Sequence, residues 1–338
     1  MKLELFDRFP LAHLPTPLEP LKRLSVYLGG PSIWIKRDDC TGLAGGGNKT
    51  RKLEYLLPDA LARGADTLVT IGGIQSNHTR QTAGAAARTG LKALLVLEHW
   101  VRWPGKEYDH VGNILLSRML GAEIEIAPGA GTVSSASANL AAAAERVRSR
   151  GGMPYVIPSG SSDHPLGGLG YVRCAQEIVQ QSQEYGIRFS AILHATSSGS
   201  TQAGLIVGLA DRGSRCRVIG VDVDAAADVT RSTVLRIARR TAALVGYETP
   251  IADDDVQVAA GYAGDAYGLP TREAIDAMRL VGQLEGLLLD PVYEAKAMAG
   301  LIDMVRRRQF EPSQHILFLH LGGTPAVHAY ADLFPVPR

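Results

Sequence analysis

Glycines placed where short β-branched runs give way to helical periodicity constrain this chain more than any other feature. Gly45-Gly46-Gly47, Gly72-Gly73, Gly199 and Gly322-Gly323 each stand at such a handover, among 37 glycines in all. Apolar runs at 32–36, 67–71, 93–97, 155–157, 191–195, 218–223 and 316–319 read as strands. Between them, apolar residues recur at three and four over 51–63, 77–89, 135–148, 167–185, 201–210, 232–245, 271–285 and 293–308, the spacing of helices with one buried face. Alternating units of this kind predict an α/β fold with parallel strands. In open α/β sheets the carboxyl ends of the strands face ligands. Four glycine clusters there, each followed by hydroxyl, amide or amine side chains, point to a small-molecule site.

Composition narrows the partners. The 338 residues suffice to bury a core without staples. Lys and Arg number 35 against 34 Asp and Glu, which leaves no basic footprint for nucleic acid or an anionic membrane. With 46% hydrophobic and 20% charged residues the chain has ordinary globular usage, and no uninterrupted apolar run is long enough to span a bilayer. The first residues, Met1 to Asp7, carry acids early and do not read as a signal peptide, so a cytoplasmic protein is expected. Cys40, Cys174 and Cys216 lie far apart and are odd in number. They are expected to be reduced packing residues, and no metal is expected. No repeat or Pro-rich linker cuts the chain, so two domains would be crossed more than once.

The segment Gly42-Leu43-Ala44-Gly45-Gly46-Gly47-Asn48-Lys49-Thr50 superficially resembles a phosphate loop. It fails on register, because Asn48 separates Gly47 from Lys49. Asn48 is expected to cap a helix whose first turn carries Lys49, Arg51 and Lys52. Positive charge is the wrong sign at a helix N-terminus. The arrangement is therefore either a plain solvated basic turn, or the sign of a nearby anion or of a lysine wanted as the neutral amine that makes a Schiff base.

Four further segments carry candidate chemistry. Ser76 or Asn77 is placed to cap the helix after Gly72-Gly73, where free amides bind a carboxylate or phosphate; simple capping is the commoner use. His78 fits a base or a packed ring equally. Thr196-Ser197-Ser198-Gly199-Ser200-Thr201 makes either a nest for one phosphate or a plain serine-rich turn. Tyr267 and Tyr293 stand beside turn residues, and Tyr293 with Glu294 is an acid/base candidate or an ordinary helix start.

Taken together, these motifs resemble the tryptophan-synthase-β-like group of pyridoxal-phosphate enzymes. Within that group the chain is similar to the 1-aminocyclopropane-1-carboxylate (ACC) deaminase and D-cysteine desulfhydrase family from about Phe9 to Tyr330. The strings from Gly46 to Tyr55 and from Gly72 to Asn77 are the most specific. The resemblance implies fold type II, two open α/β domains with pyridoxal 5'-phosphate in the cleft between them. Residues 1–49 plus 159–338 would form the large domain and 50–158 a small inserted one. It also implies a homodimer acting on a small amino-acid substrate.

Position by position, Lys49 matches the lysine that holds the cofactor covalently and then shuttles protons. Ser198, Gly199, Ser200 and Thr201 match the loop around its phosphate, and Asn77 the amide near the ring hydroxyl. Ser76 matches the serine that meets the substrate carboxylate; Tyr267 and Tyr293 match the two active-site tyrosines. Glu294 falls where ACC deaminases place the carboxylate beside the pyridine nitrogen, which keeps that nitrogen protonated and the ring a strong electron sink. Desulfhydrase relatives carry Ser or Thr at the positions of Glu294 and Leu321. Trp100 and Gly167-Gly168-Leu169-Gly170 also resemble deaminases, whereas His78 stands where deaminases are expected to carry Gln and residues 36–43 look more like desulfhydrases or cysteate sulfo-lyases. The expected reaction is opening of the ACC ring to 2-oxobutanoate and ammonia. The alternative is β-elimination from D-cysteine or a related amino acid to pyruvate and ammonia. Retention of Lys49, Ser76, Tyr267, Tyr293 and Glu294 disfavours a non-catalytic binder of the same cofactor.

Overall fold

The computed structural model describes residues 1–128, 133–224 and 226–335. β1 (Leu18–Pro20), α1 (Lys22–Leu28) and β2 (Ser32–Arg37) open the chain. Next come α2 (Lys49–Ala62), β3 (Thr67–Gly73), α3 (Asn77–Thr89), β4 (Lys92–Glu98), α4 (Asn113–Met119), β5 (Glu123–Ile126), α5 (Val133–Ser149) and β6 (Pro154–Ile157). There follow α6 (Leu169–Glu184), β7 (Phe189–Thr196), α7 (Ser200–Asp211), β8 (Arg217–Asp222), α8 (Ala227–Val245), β9 (Gln257–Ala259), α9 (Arg272–Glu285), α10 (Glu294–Arg306) and β10 (His315–His320).

Two sheets result. One has the order β1-β2-β10-β7-β8-β9 and is parallel except for the β1–β2 pair; the other, β5-β4-β3-β6, is parallel throughout. The smaller sheet comes from one continuous stretch, and the larger one draws strands from both sides of it. Helices cover both faces, which is why the central strands read as unbroken apolar runs. Alternation along each strand divides the core. Val69, Ile71, Leu94 and Val96 pack against Leu140, Ala143 and Val147 of α5, while Leu68, Leu95 and Leu97 pack toward Leu53, Leu57 and Ala86 of α2 and α3. In the larger sheet Ile192, Leu317 and Leu319 face α6 and α7, and Ala191, Leu193 and Phe318 face α9 and α10.

All seven expected strands and eight expected helices are present. Missing from the sequence reading are β1, β5 and β9, edge strands of three or four residues, and the seven-residue helices α1 and α4. Such pieces are too short to display a period. Cys174 is buried as expected, but Cys40 is exposed and so is not a packing residue. Among the described residues no helix is long and apolar enough to cross a membrane. The glycine loop, the Ser-Asn turn, the hydroxyl loop and the last Gly-Gly turn follow the carboxyl ends of β2, β3, β7 and β10.

Candidate functional site

The chain reaches α2 through a loop only glycine can make. Gly45, Gly46 and Gly47 have φ of +87°, +75° and +126°, and a Cβ on Gly46 would lie 1.9 Å from the Asp39 carbonyl oxygen. Thr41 Oγ1 accepts from Gly47 N–H (2.7 Å) and donates to its carbonyl (2.9 Å). Arg80, fully buried on α3, donates to the carbonyls of Ala44 and Gly46.

Asn48 does not cap α2, contrary to expectation. Its backbone is already helical (φ −62°, ψ −25°), which aims its side chain away from the free amides of the first turn. Instead its amide donates to Thr201 Oγ1 at 3.2 Å and its Oδ1 accepts from Lys49 Nζ at 3.0 Å. The cap comes from another helix: Gln81 Oε1 accepts the Thr50 N–H at 2.9 Å.

The three cations of that turn have separate fates. Arg51 is buried and forks onto Asp38 (2.8 Å for both contacts), with Glu177 3.0 Å away. Lys52 is fully buried; it donates to the Gly160 carbonyl at 3.1 Å and makes no ion pair among the described residues. Burial, and then neighbouring Lys49, push its ammonium well below the ordinary lysine range. Lys49 is partly exposed, and burial brings it from 10.5 to about 8, with Glu294 opposing the shift and Arg80 adding to it.

At the Ser-Asn turn Ser76 caps α3, its Oγ accepting from Thr79 N–H at 3.2 Å. Asn77 Oδ1 accepts from Asn113 Nδ2 (2.9 Å), which also reaches the Gln75 carbonyl, and Arg80 Nε donates to Asn113 Oδ1 at 2.6 Å. His78 is buried with Nε2 2.8 Å from Thr70 Oγ1 and Nδ1 without a partner. Burial, then Lys49 and Lys52, hold it well below its ordinary pKa, so it is a neutral packed ring.

The hydroxyl loop turns at Gly199 (φ +93°). Ser200 Oγ lies 3.1 Å from Ser162 Oγ, and Thr201 holds Asn48. Ser198 sits against Gly160, whose carbonyl receives Lys52; a Cβ on that glycine would lie 2.7 Å from Ser198 Oγ. Ser161 Oγ is buried without a partner.

On the far side, Asp290 accepts the N–H groups of Val292, Tyr293 and Glu294 at 2.9, 3.0 and 3.0 Å, setting the start of α10. The Tyr267 and Tyr293 hydroxyls are hydrogen-bonded to each other, their rings edge to face at 5.8 Å. Burial keeps both phenols protonated above the usual tyrosine range. Trp100 lies edge-on to Tyr267 at 6.2 Å, its Nε1 held by Glu98 Oε2 at 2.5 Å. Glu294 is buried, Oε2 has no hydrogen-bond partner among the described residues, and burial lifts its carboxyl well above the ordinary range. Leu321 is buried beside it, and its carbonyl accepts the Asn48 N–H at 2.8 Å.

Three groups that their protein partners only partly satisfy therefore stand near one another, Lys49 interacting electrostatically with both Glu294 and Lys52. A buried cation, Lys52, stands by the hydroxyl loop, a weakly basic amine, Lys49, adjoins it in the same helical turn, and a buried carboxylate oxygen on Glu294 has no donor. A phosphate, an aldehyde carbon and a basic ring nitrogen would satisfy them in turn, which is the functional-group set of pyridoxal phosphate. Sequence reasoning missed Lys52, Arg80, Gln81, Asn113 and Asp290. Only Lys52 had a signal, as a third cation at a helix start.

Residues 10–322 match the family described as pyridoxal-phosphate dependent enzyme. The chain is 54% identical over 336 residues to a 1-aminocyclopropane-1-carboxylate deaminase of Burkholderia vietnamiensis, covering 99% of each chain. It is 52% identical to one of Burkholderia ambifaria at the same coverage. A crystal structure of an ACC deaminase homologue superposes with a TM-score of 0.87 at 38% identity, over 98% of this chain and 96% of that one. The crystal structure of a T.th. threonine deaminase (TM-score 0.64, 22% identity, 91% of this chain and 92% of that one) shares the fold.

Proposed function

The chain belongs to the pyridoxal-phosphate-dependent enzyme family, in its fold type II form, and on that premise we propose that it opens the cyclopropane ring of ACC to 2-oxobutanoate and ammonia. The observation that carries this reading is Glu294, a buried carboxylate with an unpartnered oxygen, in a chain more than half identical over its length to a protein named for that activity. Pyridoxal phosphate, when bound, supplies the electron sink that bond cleavage at the substrate requires.

The protein's own residues do the rest. Lys52 and the loop from Ser198 to Thr201 would hold the phosphate; Lys49 would hold the aldehyde carbon and afterwards carry protons. Asn77 would contact the ring hydroxyl, and Glu294 would orient the ring nitrogen and supply its proton. Ser76, whose Oγ caps α3, receives the substrate carboxylate near that helix terminus. ACC has no α-hydrogen, so ordinary α-deprotonation cannot start the reaction. Either Tyr293 attacks the ring methylene, giving up its phenolic proton as the bond from that methylene to the α-carbon breaks, or Lys49 as the free amine takes a β-proton while a ring bond to the α-carbon breaks. Because its hydroxyl is bonded to that of Tyr267, a proton leaving either phenol is offset by a hydrogen bond from the other. Trp100, packed on Tyr267, and Leu321, beside Glu294, shape the space for the substrate.

This reading includes a large domain of 1–49 plus 159–338, an inserted domain of 50–158, a cofactor cleft between them, a cytoplasmic location and a homodimer. Its support is the distribution of strands between the two sheets and the family resemblance. Incubation of purified protein with ACC and, separately, with D-cysteine, followed by identification of the keto acid, tests the activity. 2-Oxobutanoate from ACC is expected. Pyruvate from D-cysteine with no product from ACC would overturn it in favour of β-elimination.

A further inference from the structure

Two buried side chains outside the proposed chemistry grip the segment that carries Tyr267. Lys296 lies on α10 two residues past Glu294, fully buried, and its Nζ donates to the carbonyls of Ala263 (2.5 Å) and Ala266 (3.3 Å). Tyr330, also buried, donates from its hydroxyl to the Gly268 carbonyl at 2.8 Å. The carbonyls on both sides of Tyr267 are thus held by donors from two separate elements. Gly268 closes a third route of movement: it has φ +77°, and a Cβ there would lie 2.1 Å from Val101 Cγ2.

A buried ammonium is expensive. Lys296 makes no ion pair among the described residues, and Asp224, Asp290 and Asp222 stabilise it only through space. A methionine of similar length would fill the volume without that penalty, so the ammonium's distinctive contribution is its hold on two carbonyls. The same helix presents Tyr293 and Glu294 at its start, so this hold ties the Tyr267 backbone to the element bearing its hydroxyl partner.

We propose that Lys296 and Tyr330 are positioning residues, a two-point backbone clamp that sets the Tyr267 hydroxyl against Tyr293. The inference rests on the reading that this tyrosine pair serves the reaction. Small misplacements of such groups cost large factors in rate.

The test uses Tyr330→Phe, which removes one hydroxyl, and Lys296→Met, in the holoenzyme with whichever of ACC or D-cysteine the unmodified protein converts faster. Each should lower kcat about tenfold with KM changed less than about threefold, and in a Tyr267→Phe background each should cost less than about twofold more. Hydrogen exchange of amides 261–269 should quicken in both variants while β7 and β10 stay protected. Unmodified kcat and exchange in Tyr330→Phe would overturn the clamp, as would equal losses in the Tyr267→Phe background. If Lys296→Met does not fold, Tyr330→Phe decides alone. If the unmodified protein converts neither substrate, exchange decides. Conversion of D-cysteine alone overturns the ACC reading and leaves the clamp to its own readouts.

Discussion

Glu294 Oε2 and His320 Nδ1 face each other 3.6 Å apart, both buried, with no hydrogen bond between them. His320 Nε2 lies 3.1 Å from the Leu288 carbonyl, which can only accept, so that nitrogen carries the proton. Its bare Nδ1 accepts the Gly322 N–H at 3.3 Å and turns no donor toward the carboxylate. Burial lowers the histidine and raises the glutamate, so the interior disfavours the charged form of each. A proton on the carboxyl would be available to a basic ring nitrogen, and His320 does not compete for the carboxylate that remains.

Replacing Glu294 by Ser and Leu321 by Thr removes that carboxylate and supplies a hydroxyl beside it. Turnover of ACC should fall well over tenfold, more than about 1.4 kcal/mol of transition-state stabilisation, while D-cysteine elimination persists or rises. Steady-state rates on both substrates check it. An equal loss on both would show that the pair does not set specificity.

Borohydride treatment of the yellow holoenzyme should fix the cofactor on Lys49 and leave Lys52 free. Lys49 is the partly exposed amine, whereas Lys52 is sealed against the Gly160 carbonyl. Peptide mapping reads the position. Lys49→Ala should abolish turnover even where cofactor still binds through its phosphate.

Capture of pyridoxal phosphate by apoprotein should quicken as pH rises through about 8, where Lys49 loses its proton. The neutral amine is the nucleophile, so about a tenth of the plateau rate is expected one pH unit below that midpoint. Glu294 raises this pKa and Arg80 lowers it. Glu294→Gln should therefore shift the midpoint down and Arg80→Met shift it up, as followed by stopped-flow absorbance. A midpoint near the ordinary 10.5 would contradict the burial of this amine.

Lys52→Met should weaken cofactor binding at least about tenfold yet leave apoprotein as stable as before or more so, because it removes a buried cation that lacks a carboxylate. The sign of the pH dependence follows from linkage. The lysine's folded pKa lies well below 10.5, so between the two values the unfolded chain holds more protons and stability climbs with pH. The variant should flatten that climb in urea unfolding of the apoprotein.

Arg51→Met should cost about 3–5 kcal/mol, since it strands Asp38 in the core without its guanidinium. Arg51 is the largest favourable influence on the Asp38 and Glu177 carboxyls, both held below their ordinary values. Their stabilising share is present above the unfolded values of 3.8 and 4.5 and is lost as pH falls through the folded ones. The variant should accordingly lose part of the wild-type drop in acid.

Much of this was legible in the chain as written. Central strands such as Thr67–Gly73 are buried on both faces and must be apolar throughout, and Asn77–Thr89 shows its helical period and its serine cap at sequence distances of three and four. The glycine clusters at 45–47, 72–73, 199 and 322–323 marked the handovers that follow β2, β3, β7 and β10. The cationic first turn of α2 signalled an anion or an unprotonated amine before any fold was known.

Without the family resemblance that assigned Lys49, which cation takes which part was not legible, because Arg51, Lys49 and Lys52 are near neighbours in sequence and differ only in direction around the helix. Asp38, Glu294 and Gly160, which give each its environment, arrive from the turn after β2, from α10 and from the segment after β6. Gln81 replaces Asn48 as the cap for the same reason: a hydrogen bond between helices leaves no local pattern. Residue type and short-range period are properties of the chain alone, so the sequence determined the elements and the kinds of chemistry present. Protonation state, partner and reach depend on groups brought together from distant positions in a low-dielectric interior, and those the tertiary structure decided.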